Sequence, residues 1–214
     1  MKNTIKLVIF DLDNTLTAGP TIWELVHREN KTWKSHGIPY WDDFKKGKFG
    51  FNAFINMDVR CWEGLPVTKI KQAIKKIKYI PNIKKTIQQL KKKKIKTALV
   101  SSSIELFAKT VAKKYGIDYV FANPLIVKKG KLTGKVKLKV PGSGKGKITG
   151  YLVRCLQLKK KEVAAVGDSK FDLPMFQKAG TKITFTDADP KIKHKAEHII
   201  SKKGLYKITK LLCK

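Results

Sequence analysis

Short apolar runs recur along the chain, separated by longer segments whose apolar residues repeat every three or four positions. The first run lies within residues 6–10 and is rich in aliphatic, β-branched side chains, which is typical of a strand buried on both faces. Similar runs follow within residues 95–100, 119–121, 162–166, 182–186 and 197–200. Helical patterns fall between them, for example in residues 83–90 and 104–115. The alternation predicts an α/β fold with an open parallel sheet.

Residues 18–79 interrupt this alternation. A simple βαβ unit reaches its second strand after about thirty residues, but the next convincing strand begins only at Ile95. The intervening stretch has helical patterns instead, one in residues 22–29 and one headed by Thr68 in residues 68–77. We therefore expect a helical cap domain at 18–79, inserted after the first strand of a core domain formed by 1–17 and 80–214.

Most of the aromatic side chains of this stretch are expected to form the small core of the cap, with one or two lining a substrate pocket. They include all four tryptophans of the chain: Trp23, Trp33, Trp41 and Trp62. Further along, residues 125–127 and 132–140 alternate like a hairpin. The glycine-rich stretch 141–147 fits neither common nucleotide-binding consensus, and leaves Lys145 at the start of the next helix.

The charge is strongly positive, with 47 lysines and arginines against 16 acids and a net charge of +31. Such a balance suits a polyanion partner or an anionic substrate. The basic residues are spread over the whole chain, which favours a solvated surface over a dedicated nucleic-acid site. Nucleic acid is therefore the less favoured partner, and a small phosphorylated substrate the favoured one.

The three cysteines, Cys61, Cys155 and Cys213, are odd in number and form no C-x-x-C pair or Cys/His cluster. This usage is typical of free thiols in a reducing compartment. No stretch approaches the roughly twenty apolar residues that a membrane helix needs. We expect a soluble cytoplasmic protein without a membrane partner, and the sequence leaves its oligomeric state open.

Four of the 16 acids follow two predicted strands: Asp11 and Asp13 after the first, and Asp168 and Asp172 after the run at 162–166. Strands of a parallel sheet bring their carboxyl ends to one edge, where ligands bind. A lone D-x-D after a strand is usually a solvated turn, but two pairs of acids after two different strands are not easily explained by chance. Carboxylates without His or Cys favour Mg²⁺.

Two further features suit phosphoryl transfer beside this metal. Ser101, Ser102 and Ser103 end the strand at 95–100 just before a helical pattern, where hydroxyls and free backbone N–H groups hold anions. Lys145 adds a positive charge at another helix start. Together with Mg²⁺, these groups would stabilise the charge of a transferring phosphoryl group.

The ordered motifs D-L-D-N-T, Ser101, Lys145 in G-K-G-K-I, and G-D-S-K-F-D-L-P-M-F resemble the four motifs of the haloacid dehalogenase superfamily. Residues 118–134 and the stretch L-P-V-T-K-I are similar to the phosphoserine phosphatase branch, so the resemblance covers nearly the whole chain. It implies a Rossmann-like core with a helical cap inserted after the first strand.

The resemblance also implies roles for individual residues. Asp11 would be the nucleophile that forms an aspartyl-phosphate, and Asp13 would protonate the leaving oxygen and then activate water. Ser101, with Ser102 and backbone N–H groups, would hold the phosphoryl oxygens, and Lys145 would balance the charge of Asp11 and the phosphate. The Mg²⁺ ligands would be the Asp11 carboxylate, the Asp13 backbone carbonyl, Asp168 and, directly or in support, Asp172.

The chain departs from the branch at several positions. Ser102 and Ser103 stand where it has two glycines, and Phe171 stands where it has an asparagine. The cap glutamate and arginine that hold the amino and carboxylate groups of serine align near Pro20 and Asn56, neither of which is charged. Glu24 and Arg60, one helical turn further on, would take over substrate binding if the cap has shifted in register. Without that shift, we expect phosphoserine to be a poor substrate and the leaving group to be flatter or more apolar, such as a sugar or nucleoside.

The favoured function is thus that of a Mg²⁺-dependent phosphomonoester hydrolase acting on a small phosphorylated metabolite. The alternative is a polyanion-binding or nucleic-acid-binding protein on the same scaffold, with weak or nucleic-acid-directed phosphatase activity. Dehalogenase chemistry is disfavoured, because the second acid Asp13 suits protonation of a leaving oxygen, which a halide does not need.

Overall fold

The computed structural model of the chain describes residues 5–212, so Cys213 lies outside the described part. A six-stranded sheet forms the centre of the fold, with every neighbouring pair of strands parallel. Its strands are β1 (Leu7–Phe10), β4 (Lys96–Ile104), β5 (Tyr119–Asn123), β8 (Val163–Val166), β9 (Thr181–Phe185) and β10 (His198–Ile200). Their spatial order is β10-β9-β8-β1-β4-β5. The predicted α/β fold with a parallel Rossmann-like sheet is confirmed.

Strand β1 lies in the middle of the sheet because its four residues are apolar and completely buried. It pairs with β4 on one side and β8 on the other, with Phe10 opposite both Leu99 and Val166. This register brings the residues that follow each strand to one edge. Beyond the level of Phe10, Leu99 and Val166, the chain reaches Asp11 after one residue, and Ser101 and Asp168 after two residues each.

Helices cover the sheet and extend beyond one edge of it. Within residues 5–212 the α-helices are α1 (Ile22–Glu29), α2 (Ile38–Lys45), α3 (Phe51–Arg60), α4 (Val67–Lys75), α5 (Ile83–Lys92), α6 (Glu105–Tyr115), α7 (Gly144–Cys155), α8 (Leu173–Phe176), α9 (Pro190–Lys193) and α10 (Lys207–Leu212). A π-helical turn, Trp33–Gly37, joins α1 to α2. None of the helices described between residues 5 and 212 is long and apolar enough to cross a bilayer.

Helices α1 to α4 lie between two short strands, β2 (Thr17–Ala18) and β3 (Lys78–Tyr79), which pair antiparallel. The pairing brings the two ends of the helical stretch together. A hairpin of β6 (Leu125–Lys128) and β7 (Lys131–Val136) also contacts the helical stretch, because the backbone N–H of Gly64 donates to the carbonyl of Leu132. The expected division into a cap at 18–79 and a core of 1–17 and 80–214 is compatible with this path of the chain.

Several local expectations differ from the structure. Helix α4 begins at Val67 after Pro66, so Thr68 lies inside the helix and does not cap it. The three serines belong to the irregular last part of β4, and Ile104 is the residue that precedes α6. Strand β7 ends at Val136, four residues before the predicted end at Val140. Cys61 and Cys155 are free thiols, as expected.

Candidate active site

Three carboxylates meet at the carboxyl edge of the sheet. One oxygen each from Asp11, Asp168 and Asp172 lies within 4.8 Å of the others. Asp11 directly follows β1, and Asp168 comes two residues after β8. Asp172 ends the short 3₁₀ turn Lys170–Asp172, where its Oδ2 accepts hydrogen bonds from the backbone N–H groups of Asp168 and Ser169, both at 3.0 Å. The turn therefore fixes Asp172 beside the strand end.

Lys145 supplies the positive charge of this cluster. Its Nζ donates to Asp11 Oδ1 at 2.6 Å and to Asp172 Oδ1 at 2.5 Å, and its side chain is only 4 % exposed. Burial alone would lower the pKa of the lysine, but the two carboxylates outweigh it and raise the pKa. Lys145 stays protonated and links helix α7 to both strand ends.

Burial is the main influence on the acids. It raises the pKa of Asp11 well above its ordinary value, although Lys145 opposes the shift. Burial and the neighbouring Asp172 raise the pKa of Asp168 to about 7. The hydroxyl of Thr15 opposes this second shift by donating to Asp168 Oδ1 at 2.9 Å. The cluster thus holds more negative charge than the one lysine neutralises, so a bound cation would be stabilised there.

Asp13 stands apart from these three carboxylates. Its Oδ1 lies 3.5 Å from the backbone nitrogen of Ile22, the first residue of α1, so it links the strand end to the helices above it. Burial raises the pKa of the Asp13 carboxyl, which favours a protonated acid at this position. The carbonyl of Asp13, the atom predicted as a Mg²⁺ ligand, belongs to the same turn as Asp11.

The serines at the end of β4 face the same edge. Ser101 is buried, and its Oγ accepts from the backbone N–H of Ser103 at 3.3 Å. In the part of the chain that the structure describes, the buried hydroxyls of Ser102 and Ser103 have no partner in good hydrogen-bond geometry, although the Ser103 hydroxyl is near enough to Asp13 to lower the pKa of that carboxyl. Side-chain Nδ2 of Asn123 donates to the carbonyl of Ser102 at 2.9 Å and holds the segment in place. Unpaired buried hydroxyls are costly, and the oxygens of a bound phosphate would satisfy them.

A cavity of about 410 Å³ opens from this edge into the helices α1 to α3. The sheet edge contributes Asp11, Asp13, the three serines, Lys145 and Asp168 to its lining, and the helical stretch contributes mostly aromatic rings. Among the tryptophans, Trp23, Trp33 and Trp41 line the cavity, while Trp62 is buried and stacks on Trp23 with 5.3 Å between ring centroids. More of the aromatic residues face the cavity than the one or two that the sequence suggested.

The two charged residues predicted to bind the leaving group have different positions. Glu24 lines the cavity, and its Oε1 accepts from Arg28 Nε at 2.8 Å. The prediction for Arg60 is corrected: this residue is exposed at the end of α3 and does not line the cavity. The helix buries Asp58 toward the cavity, and two residues along a helix turn the side chain by about 200°. Asn56 is also exposed, and its amide donates back to Asn52.

Sequence reasoning missed a buried pair in the cavity wall, His27 and Asp58. Asp58 Oδ1 accepts from His27 Nε2 at 3.1 Å, and the side chains are 2 % and 1 % exposed, respectively. Burial raises the pKa of Asp58, while the hydrogen bond from His27 lowers it. The sequence could have indicated that Asp58 is buried, because Asp58 shares the apolar face of α3 with Ile55 and Val59.

The donor set at the sheet edge fits Mg²⁺. Three carboxylate oxygens lie close enough to share one ion, and neither histidine nor cysteine is among them. Oxygen ligands of this kind suit a small hard cation that retains several of its waters. Burial and repulsion from Asp172 raise the pKa of Asp168, and a divalent cation would offset both by stabilising the ionised carboxylate.

Comparison with known proteins agrees with this site. A family model described as haloacid dehalogenase-like hydrolase matches residues 8–177. A phosphoserine phosphatase of Methanocaldococcus jannaschii is 35% identical over 213 residues, covering 99% of this chain and 100% of the relative. A phosphoserine phosphatase of Wolinella succinogenes is 30% identical, covering 95% of this chain and 98% of the relative.

Solved structures give the same result. A phospho-aspartyl intermediate analogue of phosphoserine phosphatase has a TM-score of 0.86 at 34% identity, covering 98% of this chain and 99% of that chain. A substrate-bound phosphoserine phosphatase complex has a TM-score of 0.86 at 33% identity, covering 97% and 98%, respectively.

Proposed function

The chain belongs to the haloacid dehalogenase-like hydrolase family, and from this premise we propose that it hydrolyses a small phosphorylated metabolite through an aspartyl-phosphate on Asp11, with Mg²⁺. It is a phosphoric monoester hydrolase of the phosphoserine phosphatase-like type. The observation that carries the mechanism is the cluster of Asp11, Lys145 and Asp168, backed by the buried Asp172, at a cavity lined with unpaired serine hydroxyls.

Asp11 and Asp13 divide the chemistry between them. A carboxylate oxygen of Asp11 attacks phosphorus, the bond from phosphorus to the leaving oxygen breaks, and Asp13 gives its proton to that oxygen. A water molecule then attacks the phosphoryl group on Asp11 and passes a proton back to Asp13, which releases inorganic phosphate. Burial raises the pKa of the Asp13 carboxyl, and this shift toward the protonated form supports its role as the acid.

The surrounding groups orient and stabilise the phosphoryl group. Lys145 fixes the Asp11 carboxylate and balances part of its charge, while Ser101, Ser102 and backbone N–H groups would hold the phosphoryl oxygens. Asp11, Asp168, Asp172 and the carbonyl of Asp13 would hold Mg²⁺. When bound, Mg²⁺ supplies positive charge that offsets the negative charge of the carboxylates and the phosphoryl oxygens.

We further propose that the preferred substrate is not phosphoserine. The carboxylate of a serine leaving group needs a cation, and a buried unpaired charge costs several kcal/mol. Among the residues that line the cavity, the one lysine, Lys145, is already paired with two carboxylates. His27 donates to Asp58, and Arg60 lies elsewhere.

Phosphoserine itself is the second candidate, supported by relatives of that name at 30–35% identity over nearly the whole chain. A polyanion-binding function, supported by the net charge of +31, is the third. Binding of an oligonucleotide with a steep dependence on salt concentration would favour the polyanion-binding function. Failure to bind near physiological salt would exclude it.

The test of the proposed function is hydrolysis of p-nitrophenyl phosphate by the purified protein. We expect activity that requires Mg²⁺, stops in excess chelator and is lost in Asp11→Asn. Undiminished activity in that variant would refute the role of Asp11. A comparison of kcat/KM for phosphoserine with that for sugar phosphates, nucleotides and phosphoglycolate then ranks the leaving groups, and a wide lead for phosphoserine would refute the substrate proposal.

A further inference from the structure

The part of the cavity above the phosphate site is an aromatic chamber. Six rings line it, from α1, the π-helical turn, α2, α3 and the 3₁₀ turn of the sheet edge: Trp23, Trp33, Trp41, Phe51, Phe54 and Phe171. Neighbouring rings touch, with 5.7 Å between the centroids of Trp41 and Phe54 and 5.3 Å between those of Phe51 and Phe171. A leaving group bound here is therefore surrounded by ring faces and edges.

The wall of the chamber also contains a buried carboxyl group, that of Asp58. Within residues 5–212, the one hydrogen-bond partner of the Asp58 carboxylate is Nε2 of His27. A carboxylate has room for about four hydrogen bonds, so most of its capacity is unused although the side chain is only 2 % exposed. Thr32 Oγ1 lies 2.8 Å from Nδ1 of His27 and 3.4 Å from the backbone carbonyl oxygen of His27, and when the imidazole is neutral the hydroxyl can donate to Nδ1. With His27 neutral, the pair carries one net negative charge at the cavity wall.

The nearby protein cations do not neutralise this charge. Arg28 pairs with Glu24, and its guanidinium carbon lies 5.9 Å from the ring centroid of Trp33. Lys45 lies 5.8 Å from the ring centroid of Trp41. Both cations are exposed, and neither lines the cavity. Arg28 and Lys45 are also paired with Glu24 and Asp42, respectively, so neither is available to neutralise Asp58.

We propose that the leaving group of the substrate is an alcohol that bears an alkylated ammonium group, held among these rings with its positive charge facing Asp58. The inference rests on the phosphatase function proposed above. Ring faces attract organic cations most strongly where water is excluded. A primary ammonium has three N–H donors to satisfy; the rings offer no strong acceptor, Glu24 is already paired with Arg28, and Asp58 lies on one side only. An alkylated ammonium has fewer or none, so the chamber suits it better.

The first experiment compares two esters of nearly the same shape. Phosphocholine carries a quaternary ammonium, and 3,3-dimethylbutyl phosphate carries an uncharged carbon in its place. We expect kcat/KM with Mg²⁺ to be at least about tenfold higher for phosphocholine, and higher for phosphocholine than for phosphoserine. Equal values for the two isosteres, or a lead for phosphoserine, would overturn the proposal.

Substitutions assign the effect to the chamber. Asp58→Asn keeps the shape and removes the charge, and we expect the ratio of kcat/KM between the two isosteres to fall about tenfold. Asp43→Asn is the matched control: Asp43 belongs to α2, pairs with Lys48 and does not line the cavity. The ratio should remain unchanged in the control. If Asp58→Asn does not fold, Trp33→Leu tests the same chamber, and an unchanged ratio there would refute the proposal.

A binding measurement separates this inference from the phosphatase function. In Asp11→Asn, choline should change the tryptophan fluorescence in a saturable way, and 3,3-dimethylbutanol should bind at least about tenfold more weakly. Absence of any choline response, together with normal hydrolysis of p-nitrophenyl phosphate by the unmodified protein, would overturn the inference alone. Choline binding without any hydrolysis would overturn the phosphatase function and leave the chamber as a cation site.

Discussion

The buried lysine of the active site offers the sharpest test of the structure. Replacing Lys145 with methionine keeps most of the side-chain volume and removes the charge that lies 2.6 Å from Asp11 and 2.5 Å from Asp172. Both carboxylates are at least nine-tenths buried, so water cannot replace the lysine. Removal of one partner from a buried ion pair costs about 3–5 kcal/mol. For a chain of this length, such a loss lowers Tm on the order of 10 °C.

The measurement is urea unfolding of Lys145→Met and the unmodified protein at pH 8 in excess chelator. Lys182→Met is the control, because Lys182 forms an exposed ion pair with Glu197 and such pairs contribute about 0–1 kcal/mol. Lowering the pH should reduce the difference. Lys145 opposes the raised pKa values of Asp11 and Asp168, so without the lysine both rise further above their unfolded values and the variant loses more stability as the pH increases. A loss for Lys145→Met no larger than that for Lys182→Met would refute the buried cluster.

Three further changes test the surroundings of the site. Asp11→Asn should lower kcat on p-nitrophenyl phosphate by at least about 10³-fold, because it removes the nucleophile; residual activity near that of the unmodified protein would contradict this. Thr15→Val removes the hydroxyl that orients Asp168 and should weaken Mg²⁺ binding about tenfold by calorimetry, whereas Thr133→Val, on the exposed hairpin, should not. Gly146→Ala should cost about 1–3 kcal/mol in urea unfolding, since a Cβ would lie 2.7 Å from the carbonyl of Pro174; Gly150→Ala, one turn along α7, meets only the end of Arg154 at 3.6 Å and should stabilise the helix by up to about 1 kcal/mol.

The residues at the sheet edge could be predicted because each follows shortly after a strand in the sequence. The apolar run of β1 determines that the strand is central, and the two acids that follow it in sequence must then lie at the carboxyl edge. The same reasoning placed Asp168 and the serines after their strands. It could not show that Nζ of Lys145 bridges Asp11 and Asp172, since those contacts span 134 and 27 residues. Their geometry depends on the packing of α7 against the turn at Lys170–Asp172.

The wall of the cavity was harder to predict for the same reason. Glu24 and Arg60 were chosen by helical spacing alone, and spacing along one helix does not reveal which face meets the cavity. Asp58 was overlooked although it lies on the apolar face of α3, and its partner His27 comes from a different helix, 31 residues earlier. The π-helical turn that places Trp33 in the wall has no distinct pattern in the sequence.

The distribution of charge connects the surface with the cavity. The chain has 47 basic and only 16 acidic residues, yet five carboxylates line the cavity, Asp11, Asp13, Glu24, Asp58 and Asp168, against a single lysine. A positive exterior attracts a phosphate ester from solution and raises its local concentration. The negative interior would then repel the ester unless cations accompany it. Lys145 is already in place, a metal ion at the three clustered carboxylates would be the second cation, and a positive group on the leaving alcohol would be the third, beside Asp58 in the cavity wall.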